Sequence, residues 1–314
     1  MPCFRTILVA ADFSANSVAA FRVACAMAVE DQTRLIVLHV VAPGRHGAER
    51  GWAEPSVAGA SQAPSAALPQ DPERPLRAAY SPDRAIAVEY RLTEGDPARA
   101  IIRVAEEVTA DLIVVGTHGR TGLRRLLAGS VAATVLHKAN RGVLALRANH
   151  HPHQVEGIRV ILHPTDFSRA SAVALDVARS LAQDQGARLI VLHVVRRDPR
   201  REGRMTVEID TRQEQHSLEV IRQRIDGPDL AYPVETRLVR GLEGEEILRA
   251  VQDSQADLVV MGSHGRSRLG RLLMGSTSEA VVPKADCPVL VVKSPPSEAA
   301  SNPGRVAAGA SLRA

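Results

Sequence analysis

The stretch VVGTHGRTGLRRLLAGS, residues 114–130, reads as the end of an apolar strand, a loop punctuated by glycines, and the start of a helix. A near copy, VMGSHGRSRLGRLLMGS, occupies residues 260–276. Eleven of the 17 positions are identical and two more exchange Thr for Ser. A loop of this composition kept twice points to an internal duplication, and so to a repeated structural unit.

The repeat extends in both directions. ILVAADFS (7–14) matches ILHPTDFS (161–168), and RLIVLHVV (34–41) recurs unchanged at 188–195, both at an offset of 154. VEYRLTEG (88–95) matches VETRLVRG (234–241), ADLIVVG (110–116) matches ADLVVMG (256–262), and GVLALR (142–147) matches PVLVVK (288–293), all at an offset of 146. The change of 8 places an insertion within residues 42–87 of the first half. Much of that region is rich in Ala, Gly, Pro and Ser, the composition of a surface loop. Its counterpart, TRQEQHSLEVIRQRI (211–225), has helical apolar spacing at Leu218, Ile221 and Ile225.

Within each half, short apolar runs alternate with amphipathic stretches. In the first half the pattern predicts strands at 6–12, 34–41, 87–92, 111–116 and 143–147. It predicts helices at 15–31, 97–108 and 129–139, with a weaker one near 71–80. The order β-α-β-α-β-α-β-α-β with right-handed crossovers gives a parallel sheet covered by helices on both faces. The expected architecture is α/β, two tandem doubly wound five-stranded parallel-sheet domains related by a pseudo-two-fold axis. The domains are 1–147 and 157–293, joined by a linker at 148–156 and followed by a small, polar, disordered tail at 294–314.

Composition agrees with this class. Hydrophobic residues make up 45% of the 314 and aromatics only 3%, so the cores must be aliphatic, as parallel strands buried on both faces require. The net charge of +4 comes from interleaved acids and bases with no polybasic run. Together with the scarcity of stacking aromatics, this argues against a nucleic-acid partner. No apolar run approaches the length of a membrane span. The three cysteines (Cys3, Cys25, Cys287) form neither a disulfide framework nor a C-x-x-C pair, and the expected setting is cytoplasmic.

The repeated loop carries the pattern G-x-x-G, nine residues, G-S: Gly116, Gly119, Gly129 and Ser130 in the first half, Gly262, Gly265, Gly275 and Ser276 in the second. It lacks the Gly-Lys-Ser/Thr of a P-loop and follows the fourth strand rather than the first, unlike the dinucleotide fingerprint. It does lie at the carboxyl edge of the sheet, where open α/β folds bind ligands. There the amides of a helix start, at Ser130 and Val131 or Ser276 and Thr277, and the positive end of the helix dipole converge on an anion. Ser130 and Ser276 can cap the helix or donate to a phosphate oxygen, and Arg120 and Arg266 can add charge. The plainer reading is an ordinary helix cap preceded by flexible glycines.

The chain resembles a tandem universal stress protein over residues 4–147 and 157–293. G-x-x-G-x9-G-[S/T] is that family's ATP-binding signature, and PTDFS on the first strand and LHVV on the second are also family-like. The resemblance implies a Rossmann-like fold similar to the adenine nucleotide alpha hydrolases, and ATP as ligand, with or without Mg2+. It places Asp12 and Asp166 near ribose or metal-bound phosphate, and Val40 and Val194 against adenine through their backbones. It also implies an intramolecular pseudo-dimer through the last strands, 143–147 against 289–293, with a homodimer and a protein partner open. The second half carries Pro164 and Thr165 before its Asp, whereas the first has Ala10 and Ala11. The lost hydroxyl makes the second half the better-formed site. Asp12 and Asp166 have a plainer reading as caps of the next helix.

Other polar residues are read as structural. His118 and His264 are expected to make a hydrogen bond within the loop, and His39 and His193 to be satisfied strand residues. His150, His151 and His153 lack a companion ligand that would complete a metal site. Cys25 is expected in the core and Cys287 before the last strand. Function then divides three ways: an ATP-binding stress regulator without dedicated catalysis, a slow ATPase or ATP-dependent nucleotidyl-transfer enzyme, and a ligand-free scaffold. No repeated base is positioned for water, which favours the first.

Overall fold

A computed structural model describes residues 3–29, 32–41, 71–83, 85–117, 129–147, 157–196, 215–216, 218–221, 223, 231–264 and 274–293. Residues 42–70 of the region expected to hold a surface loop, the linker and the tail lie outside these residues, as do Ile225 and the histidines at 118, 150, 151 and 153. Helical residues do occur between 215 and 223, and Ile221 is buried there.

The first half runs β1 (Thr6–Ala11), α1 (Ala15–Met27), β2 (Arg34–Val41), α2 (Arg74–Ala79), β3 (Val88–Glu94), α3 (Pro97–Glu107), β4 (Leu112–Gly116), α4 (Ser130–Lys138) and β5 (Gly142–Leu146). The second contributes β6 (Val160–Thr165), α5 (Arg169–Gln185), β7 (Arg188–Arg196), β8 (Val234–Gly241), α6 (Glu243–Ser254), β9 (Leu258–Gly262), α7 (Ser276–Val281) and β10 (Val289–Val292). Local chemistry sets several boundaries. Pro97 opens α3 behind the Asp96 cap, which accepts from the Arg99 amide. Gly186 ends α5 in the left-handed region, at φ 62°. The first helix stops at Met27, four residues short of the expected end, and Thr33 Oγ1 accepts the Val29 amide beyond it.

Ten strands form one sheet in the order β3-β2-β1-β4-β5-β10-β9-β6-β7-β8. All pairs within a half are parallel. The two halves meet edge to edge where β10 runs antiparallel to β5, with Val289, Leu290 and Val291 opposite Ala145, Leu144 and Val143. Leu144 and Leu290 are equivalent in the repeat and face each other, so the local two-fold axis passes through that pair. The two five-stranded sheets are thus continuous, and neither β5 nor β10 is left as an open edge.

Aliphatic side chains fill both faces. Ile7, Val9, Leu35, Val37, Leu112 and Val114 pack under α1 and α2, and α5 covers the corresponding face of the second half. Leu8, Ile36, Ile113 and Val115 pack under α3 and α4, with α6 and α7 in the same role. The duplication reaches side-chain detail. Asp111 Oδ2 accepts the amides of Arg5 and Thr6, and Asp257 Oδ2 accepts those of Arg159 and Val160, which ties the start of the fourth strand to the start of the first in each half. Further contacts cross between halves. Lys293 Nζ donates to Leu136 O at the end of α4 (2.5 Å), the Cys3 amide donates to Asp184 Oδ2 (3.0 Å), and the Met274 amide lies 3.4 Å from His137 Nδ1. Burial lowers the Lys293 ammonium to about 8, and its bond to a helix C-terminal carbonyl partly offsets that cost.

Candidate functional site

Strand order reverses between β1 and β4 in the first half and between β6 and β9 in the second. At such a point the chains leave the sheet in opposite directions and open a crevice at the carboxyl ends. Two segments of each half border it.

The first is the turn after β1 or β6, D-F-S-x-x-S, spelled DFSANS at 12–17 and DFSRAS at 166–171. Asp12 Oδ1 accepts the Ser14 amide (2.9 Å), and Asp166 Oδ1 accepts the Ser168 amide (3.0 Å). The helix caps are the serines: Ser14 Oγ accepts from the Ser17 amide and Ser168 Oγ from the Ser171 amide, each at 3.2 Å. Reading the aspartates as helix caps is therefore corrected. They brace the turn one step earlier, half-buried beside the crevice. Between Asp and Ser, Phe13 and Phe167 hold φ of 62° and 64°. A non-glycine residue in that region costs about 1 kcal/mol, which the surrounding bonds must offset.

His39 and His193 supply part of that support. Their Nδ1 atoms donate to Ala11 O (2.7 Å) and Thr165 O (2.8 Å) at the ends of β1 and β6. Their rings pack against Phe13 and Phe167 at centroid distances of 4.9 and 4.5 Å. The expectation of satisfied strand histidines holds, with the addition that they anchor the crevice turn. β1 pairs with β2 only as far as Ala11 opposite His39, and β6 with β7 as far as Thr165 opposite His193. Val40 and Val194 lie one residue further, where β2 and β7 outrun the central strand and pair with β3 and β8 on the other side. Pro164 is half-buried inside β6, and Thr165 ends that strand.

The second segment is the glycine loop. Gly119, Arg120, Gly265 and Arg266 lie outside the described residues. The motif's first glycines have a packing role. A Cβ on Gly116 would sit 3.1 Å from Asn16 Cβ, and one on Gly262 would sit 2.9 Å from the Ala170 carbonyl carbon. These glycines let β4 and β9 touch the first turns of α1 and α5, which brings the two crevice segments together. At the other end, the Gly129 amide donates to Thr117 O and the Gly275 amide to Ser263 O, so each loop closes on itself at its base. Gly129 and Gly275 are the N-caps of α4 and α7, and as glycines they bring no side-chain cap of their own to either helix start. Ser130 and Ser276 are the first helical residues, exposed and followed by half-buried Val131 and Thr277. The expectation that these serines cap the helix is corrected, since a residue at N1 is already inside it. His264 Nδ1 lies 2.9 Å from Ser263 Oγ, the hydrogen bond expected within the loop.

Four participants were missed from sequence. Ser17 and Ser171 were legible in the repeated D-F-S-x-x-S spacing. Tyr80, whose hydroxyl accepts from the Phe13 amide (2.8 Å) and lies 2.7 Å from Ser17 Oγ, reaches the turn from α2 and has no signature in the repeat. His163 is fully buried in β6, where the first half has Val9. Its Nδ1 donates to Val260 O (2.8 Å), its Nε2 has no partner among the described residues, and burial lowers its pKa to about 4.

Neither Cys3 nor Cys287 offers a reactive thiolate. Burial together with Asp184 and Asp111 pushes Cys3 up to about 12, and burial with Asp257 and Asp286 does the same to Cys287. Cys25 is in the core as expected. Among the described residues no helix is long and apolar enough to cross a membrane.

The fold and site define a duplicated doubly wound α/β protein with one strand-order reversal per half, each accompanied by an aspartate turn and a helix start with a glycine N-cap. The chain belongs to the universal stress protein family, whose model matches it twice, over residues 4–147 and 157–293. It is 29% identical over 299 residues to a universal stress protein of Mycolicibacterium smegmatis, covering 91% of this chain and 96% of that one. It is 30% identical over 153 residues to the universal stress protein MJ0577 of Methanocaldococcus jannaschii, covering 42% of this chain and 93% of the relative. The crystal structure of a universal stress protein from Archaeoglobus fulgidus shares the fold, with a TM-score of 0.57 at 22% identity over 94% of this chain and 98% of that one.

Proposed function

We propose that each half binds ATP, with or without Mg2+, in the crevice at the strand-order reversal, and that the chain acts as a nucleotide-linked stress regulator without dedicated catalysis. The observation that supports this most strongly is the repetition in both halves of the whole polar turn, strained Phe included, together with a fourth strand that leads to a helix start with a glycine N-cap. Strain held twice at a ligand-binding position of the fold suits a function better than it suits stability. The aspartates accept ribose hydroxyls or face a phosphate-bound metal. The backbones of Val40 and Val194, beyond the end of the central strand, meet the adenine edge. The amides of Ser130, Val131, Ser276 and Thr277 face phosphate, assisted by Gly119, Arg120, Gly265 and Arg266. Pro164 and Thr165 hold the turn in the second half. Bound ATP stabilises the loop it touches and alters a surface that a partner reads, which is binding linked to conformation.

Mass spectrometry of the freshly purified, denatured chain, after equilibration with ATP and removal of free nucleotide, tests the reading. One or two equivalents of adenine nucleotide are expected, and none would refute it. Sustained turnover at typical enzyme rates, about 1 per second or faster, would instead favour an ATP-consuming enzyme.

A further inference from the structure

The two halves build the same turn with different hydroxyls. In the second half, Thr165 Oγ1 accepts the Phe167 amide at 3.2 Å and lies 2.7 Å from Ser171 Oγ. In the first half, position 11 is alanine and has no hydroxyl to give. There the Tyr80 hydroxyl accepts the Phe13 amide at 2.8 Å and lies 2.7 Å from Ser17 Oγ. Ser17 Oγ donates onward to Ser14 O (3.0 Å), so its own proton is committed and the Tyr80 O–H donates to Ser17. The set of Phe13 amide, Tyr80 hydroxyl and Ser17 Oγ matches the set of Phe167 amide, Thr165 hydroxyl and Ser171 Oγ partner for partner.

Tyr80 is built to hold this position. It is fully buried, its ring packs against Phe21 and Phe13 at 5.7 and 5.8 Å, and its own carbonyl accepts from the Tyr90 hydroxyl at 2.8 Å. It caps the C-terminus of α2, within the region where the first half carries its insertion. Burial raises its pKa, so the hydroxyl keeps the proton it donates. The amide it receives belongs to the residue at φ 62°, next to Asp12.

We propose that Tyr80 replaces the hydroxyl missing at position 11, acting as a positioning residue for Asp12, and that the first half is thereby a formed nucleotide site equal to the second. This rests on the ATP-binding reading above and reverses the expectation that Ala10 and Ala11 weaken the first half. The loss of one buried hydroxyl that satisfies a strained amide should weaken ATP binding by about tenfold or more.

The test is calorimetric titration of the full chain with ATP and Mg2+, resolved by half. The wild type should bind two equivalents. Asp166→Ala should leave the first-half site alone. Adding Tyr80→Phe to that background should weaken it by about tenfold, and adding Ala11→Thr as well should restore it. Restoration by a hydroxyl supplied from a different backbone position is something a merely packing role of Tyr80 would not give. Unchanged binding in Tyr80→Phe, or a loss that Ala11→Thr does not repair, overturns the proposal. If Asp166→Ala abolishes all binding while the wild type binds one equivalent, the first half is not a formed site and this inference fails, while ATP binding by the second half stands. If the wild type binds no ATP, both readings fall.

Discussion

His163 should make the second half acid-sensitive through a position that carries Val9 in the first half. The neutral ring donates from Nδ1 to Val260 O, and Nε2 lies buried without a partner among the described residues, so a proton there would place a full charge in an apolar layer. The folded-state pKa is about 4 against an ordinary value of 6.5. Because the folded value is lowered, the unfolded chain binds the proton first. Stability is complete above about pH 6.5 and falls as the pH drops towards 4, where the folded ring also protonates and the loss levels off. Linkage over that interval gives a loss of about 2 kcal/mol between pH 7.5 and pH 5, approaching 3 kcal/mol at lower pH. The first half has Val9 at the equivalent place, so His163→Val is the matched control. With an m-value of about 3 kcal/mol per molar urea, the wild-type midpoint should fall by about 0.7 M between those pH values. The variant should show little of that shift. Urea titrations of both proteins at pH 7.5 and 5 decide it. Equal pH dependence in the two would refute the assignment, whatever their absolute stabilities.

Further outcomes follow from the same geometry. Gly275→Val should remove ATP binding from the second half and leave the first intact, because the loop's backbone would no longer reach the phosphates. Titration in an Asp12→Ala background reads the second half and in an Asp166→Ala background the first, and unchanged second-half affinity would contradict the account of the loop. Gly262→Ala puts a Cβ against the backbone of Ala170 and should lower stability by about 1–3 kcal/mol, measured by thermal unfolding. A melting temperature equal to wild type would show that the strand and helix can part there without cost. Cys3 and Cys287, both raised to about 12, should resist iodoacetamide at pH 8 in the folded chain and react once it is unfolded in urea.

Periodicity and duplication made most of the fold legible. The apolar runs at 34–41 and 112–116 and the capped starts of α1 and α3 can be read because the physics that forms them is local. The antiparallel seam between β5 and β10 was expected from the family resemblance alone, since nothing in GVLALR or PVLVVK specifies a partner strand. The candidate site was legible where its residues repeat, at the aspartates and the glycines. Gly116 and Gly262 were read only as phosphate-approach glycines, and their contact with a helix far away in sequence is a packing role that no local pattern shows. One role was misjudged. Ser130 and Ser276 look like caps but sit one residue inside the helix. Tyr80 was invisible because it compensates across 69 residues for Ala11, and no one-dimensional pattern links a tyrosine after a short helix to a missing hydroxyl on β1.

The most direct measurement of the central claim is a crystal structure of the full chain grown with excess ATP and Mg2+. The account predicts triphosphate density at both strand-order reversals, between the Asp12 turn and the start of α4 and between the Asp166 turn and the start of α7. Crevices that stay empty or filled by the protein's own atoms at saturating ATP would contradict it.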